Sequence, residues 1–328
     1  NISNPSTAGI CIRSKMYSNS SNGISLNANP CFDNSPQFTE KPVVNLCTGY
    51  PVSFYEGAFD KELDSLAYSW DKPLNEYVGG IFNQTNPSAV NFDTNYSFSS
   101  PFPTAALHPQ NIAATIDPYT GEINYTSFTQ GNFVAVVKVS SYRNGKLNSE
   151  IFREYVHIIQ PCGINNNAPV FAAPFNNASS FDTTITAGDA VHFSILATDN
   201  DLMPVTSNPQ MLAIFAGSDQ FDSTTFSSNS TNCNKPPCAG ISTQPGIYSQ
   251  TTTALHIDWQ TSCENLKDAS GNYLNSKTYY FNFSAQDDYC PAPAIQSKIV
   301  KINLVVKKTL SAPQNIIANI LPNCDVVL

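Results

Sequence analysis

The chain is short of charge. Only 12% of its 328 residues are Asp, Glu, Lys or Arg, about half of the ~25% usual in globular proteins. Its 16 basic residues are outnumbered by 25 acidic ones, giving a net charge of −9, and they form no cluster. Nucleic-acid binding needs a concentrated basic face, so it is excluded. No run of 18 apolar residues occurs, so no segment reads as a membrane-spanning helix. Long helices are excluded too, because 23 prolines and many Asn and Ser turns interrupt the chain before a 3.6-residue period develops. Catalytic signatures are also missing. There is no Gly-x-Ser-x-Gly and no His-Glu-x-x-His, and His108, His157, His192 and His256 share no spacing. A glycosidase needs two carboxyls ~5–10 Å apart across a cleft, and the sequence singles out no such pair. The expectation is a protein that is not an enzyme. The chain opens on Asn1 without a basic and apolar leader, and Asp325-Val326-Val327-Leu328 reads as an interrupted strand, so a piece of a longer secreted chain is expected.

What the chain does have is a repeat. Asn34-Ser35-Pro36-Gln37-Phe38 returns as Asn167-Ala168-Pro169-Val170-Phe171, 133 residues later. A second block, Gly49-Tyr50-Pro51-Val52-Ser53-Phe54 with Asp60, returns as Gly188-Asp189-Ala190-Val191-His192-Phe193 with Asp199, at an offset of 139. Repetition at this length means a tandem array of domains, not one enzyme core. Hydrophobic content of 41% lets each domain bury a core.

Alternation at period two dominates. Phe133 to Val139 and Phe152 to Ile159 read as strands joined at Asn144-Gly145, the strongest short hairpin signal because both residues tolerate φ > 0. Tyr279 to Ala285 and Lys298 to Val306 close the second repeat in the same way. The fold class is therefore all-β: tandem immunoglobulin-like sandwiches in an extended rod. The expected boundaries are 1–33, the end of a preceding β domain; 34–162, repeat 1; 163–308, repeat 2; and 309–328, the start of a fibronectin III-like domain. Trp70 and Trp259 lie in alternating strands and are read as buried sandwich tryptophans, with stacking on a sugar as the alternative.

Nine cysteines without a Cys-x-x-Cys pair indicate an oxidising compartment. The pairing expected from neighbourhood is Cys11–Cys31, Cys47–Cys162, Cys233–Cys238 and Cys263–Cys290, with Cys324 left over. Cys47–Cys162 would tie the first strand of repeat 1 to its last, worth roughly 4–5 kcal/mol on the loop-entropy relation. The Cys233–Cys238 loop, Asn234-Lys235-Pro236-Pro237 within it, is the candidate displayed contact, since a staple and two prolines hold a loop ready for a partner. A protease-resistant insertion explains it equally well.

Acidic residues cluster at Asp60, Glu62 and Asp64, at Asp199 and Asp201, and at Asp287 and Asp288. Alternating acids on a loop can offer Ca²⁺ several of its six to eight oxygens, which makes structural calcium one reading. Solvated carboxylates capping turns are the other.

Two motifs resemble cadherin-like or PKD-like repeats: Asn165-Asn166-Asn167-Ala168-Pro169-Val170-Phe171, and Ile116-Asp117-Pro118-Tyr119-Thr120-Gly121-Glu122-Ile123. More widely, Asn34-Ser35-Pro36, Leu46-Cys47-Thr48-Gly49-Tyr50-Pro51-Val52 and Asp60-Lys61-Glu62-Leu63-Asp64-Ser65-Leu66-Ala67-Tyr68-Ser69 resemble a recurring domain of Bacteroidota surface proteins. The stretch from Ala135 to Gly145 and the closing Cys162 continue that pattern. Lys61, Glu62 and Leu63 depart from the family's usual Asp-Pro-Asp-Gly-Asp-Ser-Leu, which weakens calcium at that spot. The resemblance implies export by the type 9 secretion system, a gliding-motility adhesin or adhesin stalk at the bacterial cell surface, and partners among the gliding machinery, further domains of the same chain and a surface polysaccharide or other extracellular ligand. It also implies O-glycosylation after Asp, at Ser65, Thr183 and Ser223. The alternatives are a carbohydrate- or protein-binding module of a secreted enzyme and a purely structural filament.

Overall fold

The computed structural model describes residues 1–3, 12–29, 32–39, 42, 45–62, 64–75, 88–162, 166–175, 180–249, 251–268, 271–290, 292–307, 319–320 and 326–327. Among these residues there is no α-helix, only strands and two short 3₁₀ turns. The first part of the chain supplies β1 (Ser14–Met16), β2 (Ser20–Ser21), β3 (Ile24–Ser25), β4 (Gln37–Phe38), β5 (Asn45–Cys47), β6 (Pro51–Tyr55), β7 (Ala58–Phe59), β8 (Ser65–Asp71), β9 (Ile112–Ile116), β10 (Glu122–Thr126), β11 (Gly131–Arg143) and β12 (Lys146–Gln160). One sheet runs β1–β12–β11–β8, with β5 lying parallel to the end of β12, and the facing sheet is β6–β10–β9.

The second part repeats the plan with β13 (Val170–Ala172), β14 (Asp182–Thr186), β15 (Ala190–Thr198), β16 (Leu212–Gly217), β17 (Gly240–Ile241), β18 (Thr252–Gln260), β19 (Ser276–Asp287) and β20 (Ile295–Val305). Its sheets are β14–β20–β19–β16 and β13–β15–β18–β17. In both units an early strand lies parallel to the last one, and the other neighbours are antiparallel. This is the immunoglobulin-like sandwich order.

The side chains explain the layers. In β15, Val191, Phe193, Ile195 and Ala197 are buried while His192 and Ser194 face out, the period of two that a half-buried strand requires. They meet Trp259, Phe281, Phe283 and Val300 in the second core. Trp259 packs edge-on to Tyr279 at 4.8 Å. The first core gathers Phe54, Tyr68, Phe102, Ile123, Tyr125, Val137 and Val139. Phe102 stacks on Tyr125 at 4.6 Å, and the Tyr125 hydroxyl is 2.7 Å from His157 Nδ1. Burial among these rings holds His157 down at about 3, so it is neutral in the folded protein. Trp70 is half-buried, edge-on to Phe102.

Local chemistry sets the turns. Asn144 and Gly145 take φ of 52° and 75°, the pair of left-handed residues that joins β11 to β12 with the right twist. Between β9 and β10, Asp117 Oδ1 accepts from the N–H groups of Tyr119 (2.9 Å) and Thr120 (2.8 Å), and Gly121 takes φ of 74°.

The structure departs from the sequence reading in three places. Residues 1–33 were expected to finish a preceding domain, yet β1 pairs antiparallel with β12, and the Asn1 side chain bonds Pro101 O and Val134 O. The long β12 leaves an open edge that this segment covers. Cys263 and Cys290 were expected to pair, but both are exposed and unbridged. Cys263 sits in a 3₁₀ turn after β18 and Cys290 in the turn after β19, not on adjacent strands. Finally, the two units of the expected rod touch along their sides as well as through the linker. Ser53 on β6 bonds Ser297 O on β20 at 3.4 Å, the Asn166 N–H donates to the Tyr50 hydroxyl at 3.2 Å, and Asn234 Nδ2 donates to Asp60 O at 3.1 Å. Cys11, Cys31 and Cys324 lie outside the described residues. In 309–328 only β21 (Asn319–Ile320) and β22 (Val326–Val327) are described, as an antiparallel pair.

Candidate functional site

The repeated motifs do the same work in each unit. The Asn34 backbone N–H and side chain both donate to the Glu62 carboxylate, and those of Asn167 donate to Asp201. Each acid is set by the preceding Asp: Asp60 Oδ1 accepts from the Glu62 N–H (3.0 Å), and Asp199 Oδ1 from the Asp201 N–H (2.8 Å). The shared role of these acids is to clamp the opening Asn-x-Pro segment onto a turn.

Around that clamp in the first unit lies a buried polar hub. The carboxylates of Asp33, Asp60 and Asp64 come within 4.8 Å of one another, the one such acidic group among the described residues. Arg143, ending β11, grips Asp64 with two bonds (Nε to Oδ1, 2.8 Å; Nη2 to Oδ2, 3.0 Å), reaches Asp33 Oδ1 at 3.1 Å and donates to Phe32 O at 2.6 Å. Asn148 donates to Asp33 and Asp64, and the Ser141 hydroxyl lies within 3.3 Å of both Asp60 and Asp64. Three carboxylates share one guanidinium. Burial therefore raises Asp60 to about 7 and Asp33 to about 6, while the surrounding carboxylates push Arg143 further up. The guanidinium stands where a cation would, and donors already hold most of the oxygens, so the hub closes on itself.

The equivalent place in the second unit uses different chemistry. Asn166 occupies the repeat position of Asp33, and its Nδ2 donates to Asp287, which ends β19 as Arg143 ends β11. Asp287 also accepts from the Tyr289 and Ala294 N–H groups, both at 3.0 Å, and Asp288 from the Met211 N–H at 2.8 Å. The seven acids considered for calcium thus split between the two units. Sequence reasoning missed Asp33, Arg143 and Asn148. The signal for Asp33 was its place just before Asn-x-Pro, matched by Asn166.

Both bridges in the described residues are Cys47–Cys162 and Cys233–Cys238. The small loop closed by the second does not project. Trp259 Nε1 donates to Pro237 O (2.9 Å), Gln220 to Pro237 O (2.8 Å), and Asn265 to Lys235 O (2.8 Å). The loop faces the first unit across a cleft of about 330 Å³ lined by residues of both sandwiches. Of the candidate glycosylation residues, Ser65 and Ser223 are exposed and Thr183 is half-buried in β14. No helix among the described residues is long and apolar enough to cross a membrane.

No protein-family model matches the chain, and no curated protein does. Solved structures do. The extracellular cadherin domains 1–5 of protocadherin gamma B2 match at 12% identity over 84% of this chain and 40% of theirs, with a TM-score of 0.21. The tandem Ig repeats of Dlar match at 12% identity over 83% of this chain and 97% of theirs, with a TM-score of 0.26. AggA, the major subunit of aggregative adherence fimbriae type I from Escherichia coli, matches at 10% identity over 44% of this chain and 99% of its own, with a TM-score of 0.24. The chain thus spans two fifths of the protocadherin's length.

Proposed function

We propose that this chain is a load-bearing stretch of a secreted cell-surface adhesin or its stalk, not an enzyme. The observation that carries the reading is the parallel pairing of early and last strands. In the second unit β14 and β20 pair through five residues, Asp182↔Lys301 to Thr186↔Val305. A pull along the chain draws these strands in opposite directions, so their hydrogen bonds resist together in shear instead of one at a time. In the first unit the parallel pair is only three residues long, and there the Cys47–Cys162 bridge takes the load instead. Export by the type 9 system, a place in Bacteroidota gliding and O-glycans at Ser65, Thr183 and Ser223 belong to this proposal, as do repeats bounded at 34–162 and 163–308.

Single-molecule pulling tests it. Without reductant, the 182–305 stretch should release about 40 nm in one event at ~3.5 Å per residue. Reductant should add a second release of about 40 nm from the 115-residue separation behind Cys47–Cys162. Two long releases in oxidising buffer, or a second unit that lengthens without a force peak, would defeat the proposal. A binding module is the second reading, favoured by the cleft between the units.

A further inference from the structure

Two polar atoms are left unanswered at that cleft, one on the stapled loop and one on β19. Asn234 is anchored through Nδ2, to Asp60 O at 3.1 Å and Asp219 Oδ2 at 3.2 Å, yet its Oδ1 is buried and accepts no hydrogen bond. Lys277, on β19, contributes an ammonium that is buried without a hydrogen-bond partner, its nearest aromatic ring being Tyr279 at 4.9 Å. Burial draws Lys277 below the usual lysine range, which shows how poorly its surroundings solvate it. Buried polar atoms are nearly always paired, so each such exception calls for a partner. The residues that carry them, Asn234 and Lys277, both line the same cleft. A ligand that satisfies both must itself donate and accept.

The walls narrow the class. Tyr55 and Tyr119 enter from the first unit and Tyr280 from the second, with Tyr119 75% exposed at the rim. Aromatic faces suit the C–H faces of a sugar ring, and sugar hydroxyls both donate and accept. Charge narrows it further, because Asp60, Asp64 and Asp219 also line the cleft. Arg143 neutralises Asp64, but the balance disfavours an anionic ligand. A second hollow of about 240 Å³, lined by Phe38, Phe59 and Phe226, adjoins the first and shares Ser218 and Asn234 with it, so there is room for a chain. Clefts between domains are common ligand sites.

We propose that the cleft between the two sandwiches binds a short neutral saccharide, one hydroxyl donating to Asn234 Oδ1, another accepting from Lys277 Nζ, and a ring face lying on the tyrosines. The Cys233–Cys238 staple then has a purpose: it fixes Asn234 before the ligand arrives. This deepens the surface-adhesin reading and rests on it for the source of the sugar.

The test is a printed array of neutral, N-acetylated and uronic oligosaccharides probed with residues 1–328, followed by calorimetric titration of the strongest neutral oligosaccharide. Lys277→Met keeps the side chain's length and removes the donor, and Asn234→Leu removes the acceptor. Each should weaken binding at least tenfold. Lys277→Met should melt no lower than the parent, because an unpaired buried charge is gone. The proposal is overturned if no neutral oligosaccharide is retained, if uronic ones are preferred, or if both variants titrate like the parent. The pulling experiment is indifferent to all three results, so the two readings fail separately.

Discussion

Asp60 and His157 belong to the same sandwich and titrate over the same range with opposite sign. Asp60 is only 3% exposed, so water does little to screen it, and burial raises its carboxyl to about 7. In the unfolded chain the usual value is ~3.9. The folded protein therefore keeps a proton that the unfolded chain has lost. That contribution is complete below about 4 and disappears as pH climbs through 7, amounting to about 2 kcal/mol between pH 5 and 7. His157 behaves inversely. Held near 3 when folded, it charges only on unfolding, so its contribution is present above ~6.5 and is lost on acidification, again about 2 kcal/mol between pH 7 and 5. Asp33 at about 6 and Glu154 at about 7 shift in the same direction as Asp60, so each variant is read against the parent's own pH curve. Asp60→Asn retains the Oδ1 that accepts the Glu62 and Asp64 N–H groups. Its stability relative to the parent should fall by about 2 kcal/mol between pH 7.5 and pH 5, because the amide stands in for the protonated acid at every pH and only the parent gains on acidification. His157→Gln should gain a similar amount on the same change. The assay is urea unfolding followed by fluorine NMR of 5-fluorotryptophan protein, since Trp70 reports the first unit and Trp259 the second. If Asp60→Asn leaves the pH slope of the Trp70 signal unchanged, Asp60 is ionised in the folded hub and the burial argument is wrong.

Reducing Cys47–Cys162, with a sequence separation of 115, should cost the Trp70 unit about 5 kcal/mol, whereas opening Cys233–Cys238, with a separation of 5, should cost the Trp259 unit about 2 kcal/mol. Gly145→Ala meets no atom within 4 Å and should cost only the left-handed backbone term, about 1–2 kcal/mol by chemical denaturation. Gly121→Ala has the same handedness but sets a methyl 2.7 Å from the Tyr68 ring, so its loss should be clearly larger. A chelator should leave the first unit's melting temperature unchanged, because Arg143 already serves the acidic hub; a drop reversed by Ca²⁺ would show the hub to be a metal site.

The features legible in the sequence were the local ones. Asn144-Gly145 needs two left-handed residues in a row, and Asp117-Pro-Tyr-Thr-Gly encodes its turn within five residues. The offset of 139 between Val52-Ser-Phe and Val191-His-Phe marked β6 and β15 because inward and outward positions are fixed by strand parity. What stayed hidden was non-local. Asp33, Asp64, Arg143 and Asn148 meet from segments up to 115 positions apart, and no short window contains the pattern. The pairing of β1 with β12 depends on the length of β12, whose outer edge β5 covers only at Ile158, Ile159 and Gln160, and the open state of Cys263 depends on a 3₁₀ turn that alternation cannot announce. The stapled loop was visible, but not its inward direction, which Trp259 decides through its bond to Pro237.

The two hubs also bear on how a tandem chain avoids itself. Neighbouring domains of one fold emerge next to each other at very high local concentration, and exchanging strands between them is a characteristic failure of such arrays. Here equivalent positions speak incompatible languages. The first unit sets Asp33 against Arg143, and the second sets Asn166 against Asp287. Were the opening segment of the first unit to dock on the second, Asp33 would face Asp287, two carboxylates in a buried place with no guanidinium between them. A strand swapped the other way would leave Arg143 facing an amide. Divergence at this pair of positions would penalise such an exchange, so that two near-copies of a fold could mature side by side without taking each other's edges for their own.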